Sequence, residues 1–195
     1  MQEDAVLATA LLEEGLSLSR QLGHTLTTGW ALNHLGHVAQ LQGEYERAAR
    51  LHEESLAPFD QIGPRHQGTV HAHQSLGETA LAQGDAALAT THFVEALVLS
   101  RDLGDRAGMA WCLAGLAGVA AAGGQPERAA WLWGAAEALR QTIGVRAAPA
   151  SRTTRERLIA RAREQLGEAA FNAAWAEGQK MTMEQAVAYA LAADG

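Results

Sequence analysis

The stretch Leu35-Gly36-His37-Val38-Ala39 occurs three times along the chain in related form. It returns as Leu76-Gly77-Glu78-Thr79-Ala80 and as Leu116-Ala117-Gly118-Val119-Ala120, at offsets of 41 and 40 residues. Self-similarity at a fixed period of this size indicates a stack of repeated structural units. A glycine and then an alanine follow each copy at matching distances: Gly43 and Ala48, Gly84 and Ala89, Gly124 and Ala129.

A second marker, a large aliphatic residue followed by glycine, closes each unit. It occurs as Leu22-Gly23, Ile62-Gly63, Leu103-Gly104 and Ile143-Gly144. Between these markers apolar residues recur at helical spacing, and a central glycine separates two helical segments. The sequence therefore predicts an all-α solenoid of antiparallel helix pairs within residues 1–144. Its units are a half repeat at 4–23 and full repeats at 24–63, 64–104 and 105–144.

The first helix, expected at 4–22, aligns with the second helix of repeat one, expected at 45–61 after a first helix at 25–42. The leading unit therefore lacks its own first helix, and an apolar face is left without a cover. Because natural arrays end in polar caps, this face predicts a segment cut from a longer protein. It also predicts a homodimer formed through this helix. Within 45–61, Pro58 is expected to bend or shorten the helix.

Residues 145–195 break the period and predict a C-terminal helical capping segment. After an irregular stretch around Pro149, helices are expected at 153–166, 168–178 and 183–192. Thr182 and Gln185 have the spacing of a capping box at the start of the last helix.

Composition excludes several classes of function. The net charge of −7 argues against nucleic-acid binding by the chain as a whole. The single cysteine, Cys112, lacks an intramolecular disulfide partner, which favours a reducing, cytoplasmic setting. No apolar run is long enough to span a bilayer. Interleaved glutamates mark a cluster of arginines as a solvent-exposed helix face rather than a DNA site: Arg152, Arg155, Arg157, Arg161 and Arg163.

The recurring positions resemble the tetratricopeptide repeat, in which a Leu-Gly pair lies in the first helix and small residues lie at the helix crossings. The period here exceeds the family's usual ~34 residues, which implies longer helices. The small positions of the second helices are Ala48, Ala89 and Ala129, followed by Ser55, Ala96 and Ala136. The bulky position between them holds His52, Phe93 and Trp133.

The C-terminal part resembles a more specific group. The segments are Trp131-Leu132-Trp133-Gly134-Ala135-Ala136-Glu137, Leu166-Gly167-Glu168-Ala169-Ala170-Phe171 and Met181-Thr182-Met183-Glu184-Gln185-Ala186-Val187. They are similar to the tail of large bacterial transcription regulators and signalling ATPases of the STAND class, including LuxR-type members. The resemblance implies the sensor or scaffold region of a regulator. Neither a GxxxxGK[ST] motif nor a recognition-helix pattern occurs in this sequence.

In a tetratricopeptide stack the first helices line a concave groove that commonly binds a partner. Aromatic anchors and amide groups suit a peptide or a small effector. The alternative is that the tryptophans only pack between helices, in a self-association scaffold without a groove ligand. Counted from the Leu-Gly pair, the predicted groove residues are Trp30, Asn33, His37, Gln40, His71, Gln74, Glu78 and Trp111.

Metal binding and catalysis are weaker interpretations. Zinc needs three or four converging ligands, and His37, His71 and Glu78 are the residues that could supply them. The alternative is that these histidines are packed or solvated and bind no metal. We therefore predict no metal and no cofactor. The sequence has no GxSxG motif and no recognisable pair of catalytic carboxylates, which predicts a non-catalytic protein. Cys112, in an apolar run, is expected to be a small buried residue rather than a nucleophile.

Overall fold

Helices follow one another along nearly all of the chain. The computed structural model describes residues 2–63, 65–145 and 152–192, with side chains at 6–63, 65–145 and 155–192. Within these ranges there are ten helices and no strand. They are α1 (Gln2–Gln21), α2 (Thr25–Leu41), α3 (Tyr45–Ile62), α4 (Gln67–Gln83), α5 (Ala86–Leu103), α6 (Arg106–Ala122), α7 (Pro126–Ile143), α8 (Arg152–Leu166), α9 (Glu168–Lys180) and α10 (Met183–Leu191).

The helices pack as consecutive pairs. Helices α2 and α3, α4 and α5, and α6 and α7 form the three pairs, and each pair stacks on the next. Helix α1 packs on α2, as the second helix of a preceding unit would. These contacts confirm the predicted all-α, tetratricopeptide-like solenoid with a helical cap.

The helix boundaries lie close to the predicted ones because the predicted stops are present. Gly84 and Gly104 follow α4 and α5 in the left-handed conformation, with φ of 84° and 67°, which favours glycine and ends the helix. Pro58 does not shorten α3, since α3, α5 and α7 each contain 18 residues. The proline lies in the last turns, where only one intrahelical hydrogen bond is lost.

An aromatic ring from a second helix is held between glycines of two successive first helices. Phe93 of α5 is fully buried, and a Cβ atom added at Gly77 of α4 would lie 2.9 Å from its ring. A Cβ at Gly115 of α6 would overlap the same ring. Phe59 of α3 lies in the same way against glycines of α2 and α4. The bare glycine backbone therefore sets the spacing of α2, α4 and α6.

The cap is joined to the repeats by a contact of backbone on backbone. A Cβ atom at Gly134 of α7 would overlap the carbonyl oxygen of Trp175, and one at Gly178 of α9 would overlap that of Trp131. Helix α9 therefore lies along α7 as closely as the helices of a repeat pair. The core continues across this contact, because Phe171 and Trp133 belong to one buried cluster.

The last helix begins as predicted. Thr182 accepts a hydrogen bond from the Gln185 backbone N–H, and the Gln185 side chain accepts one from the Thr182 N–H, which confirms the capping box. The Arg128 side chain of α7 donates to the carbonyl oxygens of Ala190 and Ala192 at 3.3 and 3.1 Å and fixes the helix end.

Most of the predicted arginine cluster faces solvent. Arg157, Arg161 and Arg163 are exposed, and the Arg163 guanidinium lies 4.9 Å from the centroid of the Phe171 ring. The side chain of Arg152 and the expected irregular stretch at 146–151 lie outside the described residues.

Candidate functional site: the first-helix surface

The first-helix surface is the face shared by α2, α4 and α6, where the groove was predicted. Near its start Trp30 of α2 is half-buried. Its ring centroid lies 5.4 Å from that of His71 on α4 and 5.9 Å from that of His34 on its own helix. The same indole packs edge-on against Phe59 at 5.2 Å. Trp30 therefore joins neighbouring helices and still offers part of its ring to the surface.

His37 continues this surface across to α4. Its Nε2 lies 3.2 Å from the hydroxyl of Ser75, which donates to the carbonyl oxygen of His71. Because a hydroxyl has one proton, the Ser75 oxygen accepts from His37, and Nε2 carries the proton. Burial lowers the pKa of His37, the charges of His34 and His71 lower it further, and a hydrogen bond with Gln40 opposes them. His37 is therefore a neutral ring at pH 7.

His71 is held in the same state. Burial is the largest effect and lowers its pKa, while the carboxylate of Asp105 at the start of α6 raises it in part. The two half-buried imidazoles, His37 and His71, thus present uncharged donors and acceptors rather than a cationic patch.

The far end of the surface is a carboxyl–indole pair. Trp111 Nε1 of α6 donates to Glu78 Oε1 of α4 at 2.9 Å. Burial raises the pKa of Glu78 to about 7, and the hydrogen bond from Trp111 opposes this rise. The carboxyl group is therefore divided between its neutral and charged forms near neutral pH.

Two predicted groove residues lie in the core instead. Asn33 and Gln74 are each 1% exposed. The oxygen of Asn33 accepts from His52 Nδ1 at 2.7 Å, and Gln74 Nε2 donates to the carbonyl oxygen of Gly108 at 3.1 Å. The two residues are equivalent in the repeat and turn into the helix stack, so their expected position in the groove is corrected.

Comparison with known protein families agrees with this geometry. A family model described as tetratricopeptide repeat matches residues 27–102, from α2 to the end of α5. This part of the chain is a tetratricopeptide-repeat region. Such repeats generally mediate protein–protein interactions, and the fold is typically non-catalytic. A search of curated proteins finds no match to the chain. Among the described residues, no helix is long and apolar enough to cross a membrane.

His34 belongs to the surface of the tetratricopeptide region but was not among the predicted groove residues. It is exposed and stacks on Trp30. Residues 30, 34 and 37 follow the i, i+4, i+7 spacing of one helix face, and this spacing in the sequence could have identified His34 as a surface residue beside Trp30.

The histidines meet in a different arrangement from the one considered for zinc. Donor atoms of His37, His71 and Glu78 do not converge. Among the described residues, the three-residue group whose donor atoms lie within 4.8 Å of one another is His73, His92 and Glu95. Cys112 is buried as expected, and burial raises the pKa of its thiol to about 12.

A separate depression of about 440 Å³ lies where the cap meets the last repeat. Its walls include Arg128, Trp131 and Tyr189, with the two aromatic rings stacked at 5.4 Å. It is lined by the start of α7 and by residues of α8 and α10, and none of the predicted groove residues lines it.

The variant Glu78→Gln tests the titration of the carboxyl–indole pair. Glutamine keeps an oxygen that accepts from Trp111 but does not ionise. In the folded protein the pKa of Glu78 is raised to about 7 from 4.5, so the unfolded chain loses this proton first as pH rises. As the pH rises from 4.5 to about 7, the ionisation of Glu78 therefore progressively lowers the free energy of unfolding. We expect the free energy of unfolding of Glu78→Gln to match that of wild type near pH 4.5 and to exceed it by roughly 1–3 kcal/mol at pH 8.

Urea unfolding at several pH values measures this difference. The interpretation fails if the difference between the two proteins is the same at pH 4.5 and pH 8.

Proposed function

We propose that the tetratricopeptide region is a non-catalytic binding module that holds a segment of a partner protein on its first-helix surface. The observation that carries this proposal is the array of half-buried aromatic and imidazole rings that extends across three first helices. Trp30 and Trp111 stand at its two ends, and His37 and His71 lie between them. Tetratricopeptide repeats generally bind protein partners, which supports a peptide over a small effector.

The chemistry of this surface describes the partner. Indole and imidazole rings favour apolar or aromatic side chains, which supply most of the binding energy at interfaces. Neutral histidines and Gln40 offer hydrogen bonds to a peptide backbone. Lysine and arginine are absent from the predicted groove positions, which argues against capture of a terminal carboxylate. Glu78, when ionised, attracts a lysine or arginine of the partner.

We further propose that the chain is the sensor part of a larger cytoplasmic transcription regulator, as its resemblance to STAND-class tails suggests. A ligand that contacts both α2 and α6 would favour one curvature of the stack over another. The close backbone contact between α7 and α9 would pass such a change to the cap.

Intrinsic tryptophan fluorescence during a peptide-library screen tests the binding module. We expect a saturable change for peptides with an aromatic or large aliphatic residue. His34→Ala and His71→Ala should each weaken this binding about tenfold, because each removes a ring beside Trp30. Trp30→Ala should abolish it.

The matched control is His24→Ala, which removes an exposed histidine that makes no side-chain capping bond. It should bind as wild type does. Absence of a saturable response to any peptide, with helicity intact by circular dichroism, would contradict the module and favour a scaffold without a groove ligand.

The scaffold alternative is favoured by one observation, an exposed apolar stripe on α1. Leu7, Leu11 and Leu18 are 50–60% exposed and follow one face of the helix, and Leu22, directly after its end, is 70% exposed. Contiguous apolar surface of this kind marks an interaction site on a soluble protein. We propose that two copies cover these stripes mutually, through isologous contact of α1 with α1.

Sedimentation velocity over a dilution series measures this self-association. Wild type should shift from dimer to monomer on dilution, and Leu7→Gln/Leu11→Gln should remain monomeric at every concentration. Leu41→Gln, at a residue 73% exposed on α2, should behave as wild type. Monomeric wild type at the highest concentration would contradict the dimer.

A further inference from the structure

Repeat two differs from its neighbours at one position between its helices. A first-helix residue faces the second-helix residue 19 positions later, as in the hydrogen bond between Asn33 and His52. At the position occupied by Leu32 and Leu51 in repeat one, repeat two has His73 and His92.

The equivalent position in repeat three is again apolar. Leu113 and Leu132 fill it, and both are completely buried. In repeat one Leu32 is 1% exposed, and Leu51 packs against its cluster. Two leucines therefore satisfy the packing at this position in the other two repeats, and the histidine pair adds polar groups that the packing does not require.

The two imidazoles point their nitrogens at each other and at a carboxylate. His73 Nδ1 lies 3.1 Å from His92 Nδ1, and Glu95 Oε2 lies 3.0 Å from the first and 3.8 Å from the second. At this separation only one of the two Nδ1 atoms carries a proton, so at least one lone pair points into the cluster.

These distances match one face of a metal tetrahedron. Zinc ligands at ~2.05 Å in tetrahedral geometry are separated by roughly 3.3 Å, which is about the mean of the three separations observed. The three atoms lie on a circle of about 1.95 Å radius, so an ion at the usual ligand distance would stand about 0.6 Å above their plane. The spacing of the three donor atoms therefore already fits a bound ion.

The surroundings suit a cation that enters from solvent. The side chains of His73 and His92 are each 15% exposed, and that of Glu95 is 50% exposed. Two carboxylates of α3 add negative charge: Glu53 raises the pKa of His92, and Asp60 raises that of His73, each against a larger effect of burial. A water molecule or an α3 carboxylate would supply the fourth ligand.

We propose that His73, His92 and Glu95 form a binding site for a divalent transition-metal ion, with Zn²⁺ the best match to two nitrogen ligands and one oxygen ligand. The ion ties α4 to α5 in the middle repeat, where leucine packing does so in the other two. It lies on a different face of α4 from His71 and is independent of the first-helix surface.

The test is titration of the full chain with Zn²⁺ at pH 7.5 in competition with a chromogenic chelator. We expect one equivalent of zinc per chain. Glu95→Gln should weaken binding at least about tenfold, because loss of even a group that only orients a metal ligand typically costs that much. The double variant His73→Leu/His92→Leu reproduces the leucine pair of repeats one and three, so it should fold normally and bind no zinc at this site.

His24→Gln, which removes a histidine outside the cluster, is the matched control and should keep wild-type affinity. Zinc should also raise the melting temperature of wild type but not of the double leucine variant. Co²⁺ should give the intense visible bands of a tetrahedral site in wild type only. The proposal is overturned if wild type shows no saturable binding, or if the double leucine variant binds zinc as tightly as wild type. Either result leaves the peptide-binding proposal unaffected.

Discussion

The structure depends on contact between aromatic rings of second helices and the bare backbone of glycines in first helices. Phe93 is held between Gly77 and Gly115, and Phe59 is held in the same way one repeat earlier. Each ring packs directly on the glycine backbone of two successive first helices, where other residues would place a side chain. The first helices therefore lie close together. This spacing places Trp30 beside His71 and Trp111 beside Glu78. The cap uses a related device, in which α7 and α9 approach through glycines without an intervening ring.

Polar groups have two roles in this stack. Asn33 and Gln74 satisfy buried partners and specify how the helices fit, because an unpaired buried polar group is costly. His37 and Glu78, one turn further along their helices, stay at the surface with perturbed pKa values. The same first helices thus carry one row of buried polar residues and one row of polar residues at the surface, and the helical period separates the two rows.

Much of the fold could be predicted from the sequence, because the Leu-Gly positions, the terminal glycines and the Thr182–Gln185 spacing each have a local cause. The site was predictable only in part. A helical face is about a third of a turn wide, so counting from Leu35 could not separate Asn33, which is buried, from Trp30 and His37, which are not. The cluster of His73 and His92 was missed because it depends on the register between two helices, and the 19-residue offset becomes visible only once the pair is packed.

A double-mutant cycle between Phe93 and Gly115 tests most directly whether ring–glycine contact sets the helix spacing. Phe93→Leu removes the ring atoms that approach Gly115 and keeps an apolar side chain. We predict that Gly115→Ala destabilises wild type by about 1–3 kcal/mol, because the added methyl group overpacks against the Phe93 ring. In the Phe93→Leu protein the same substitution should be neutral or stabilising by up to ~1 kcal/mol, because only the higher helix propensity of alanine remains. Equal effects in both backgrounds, within about 0.5 kcal/mol, would contradict it.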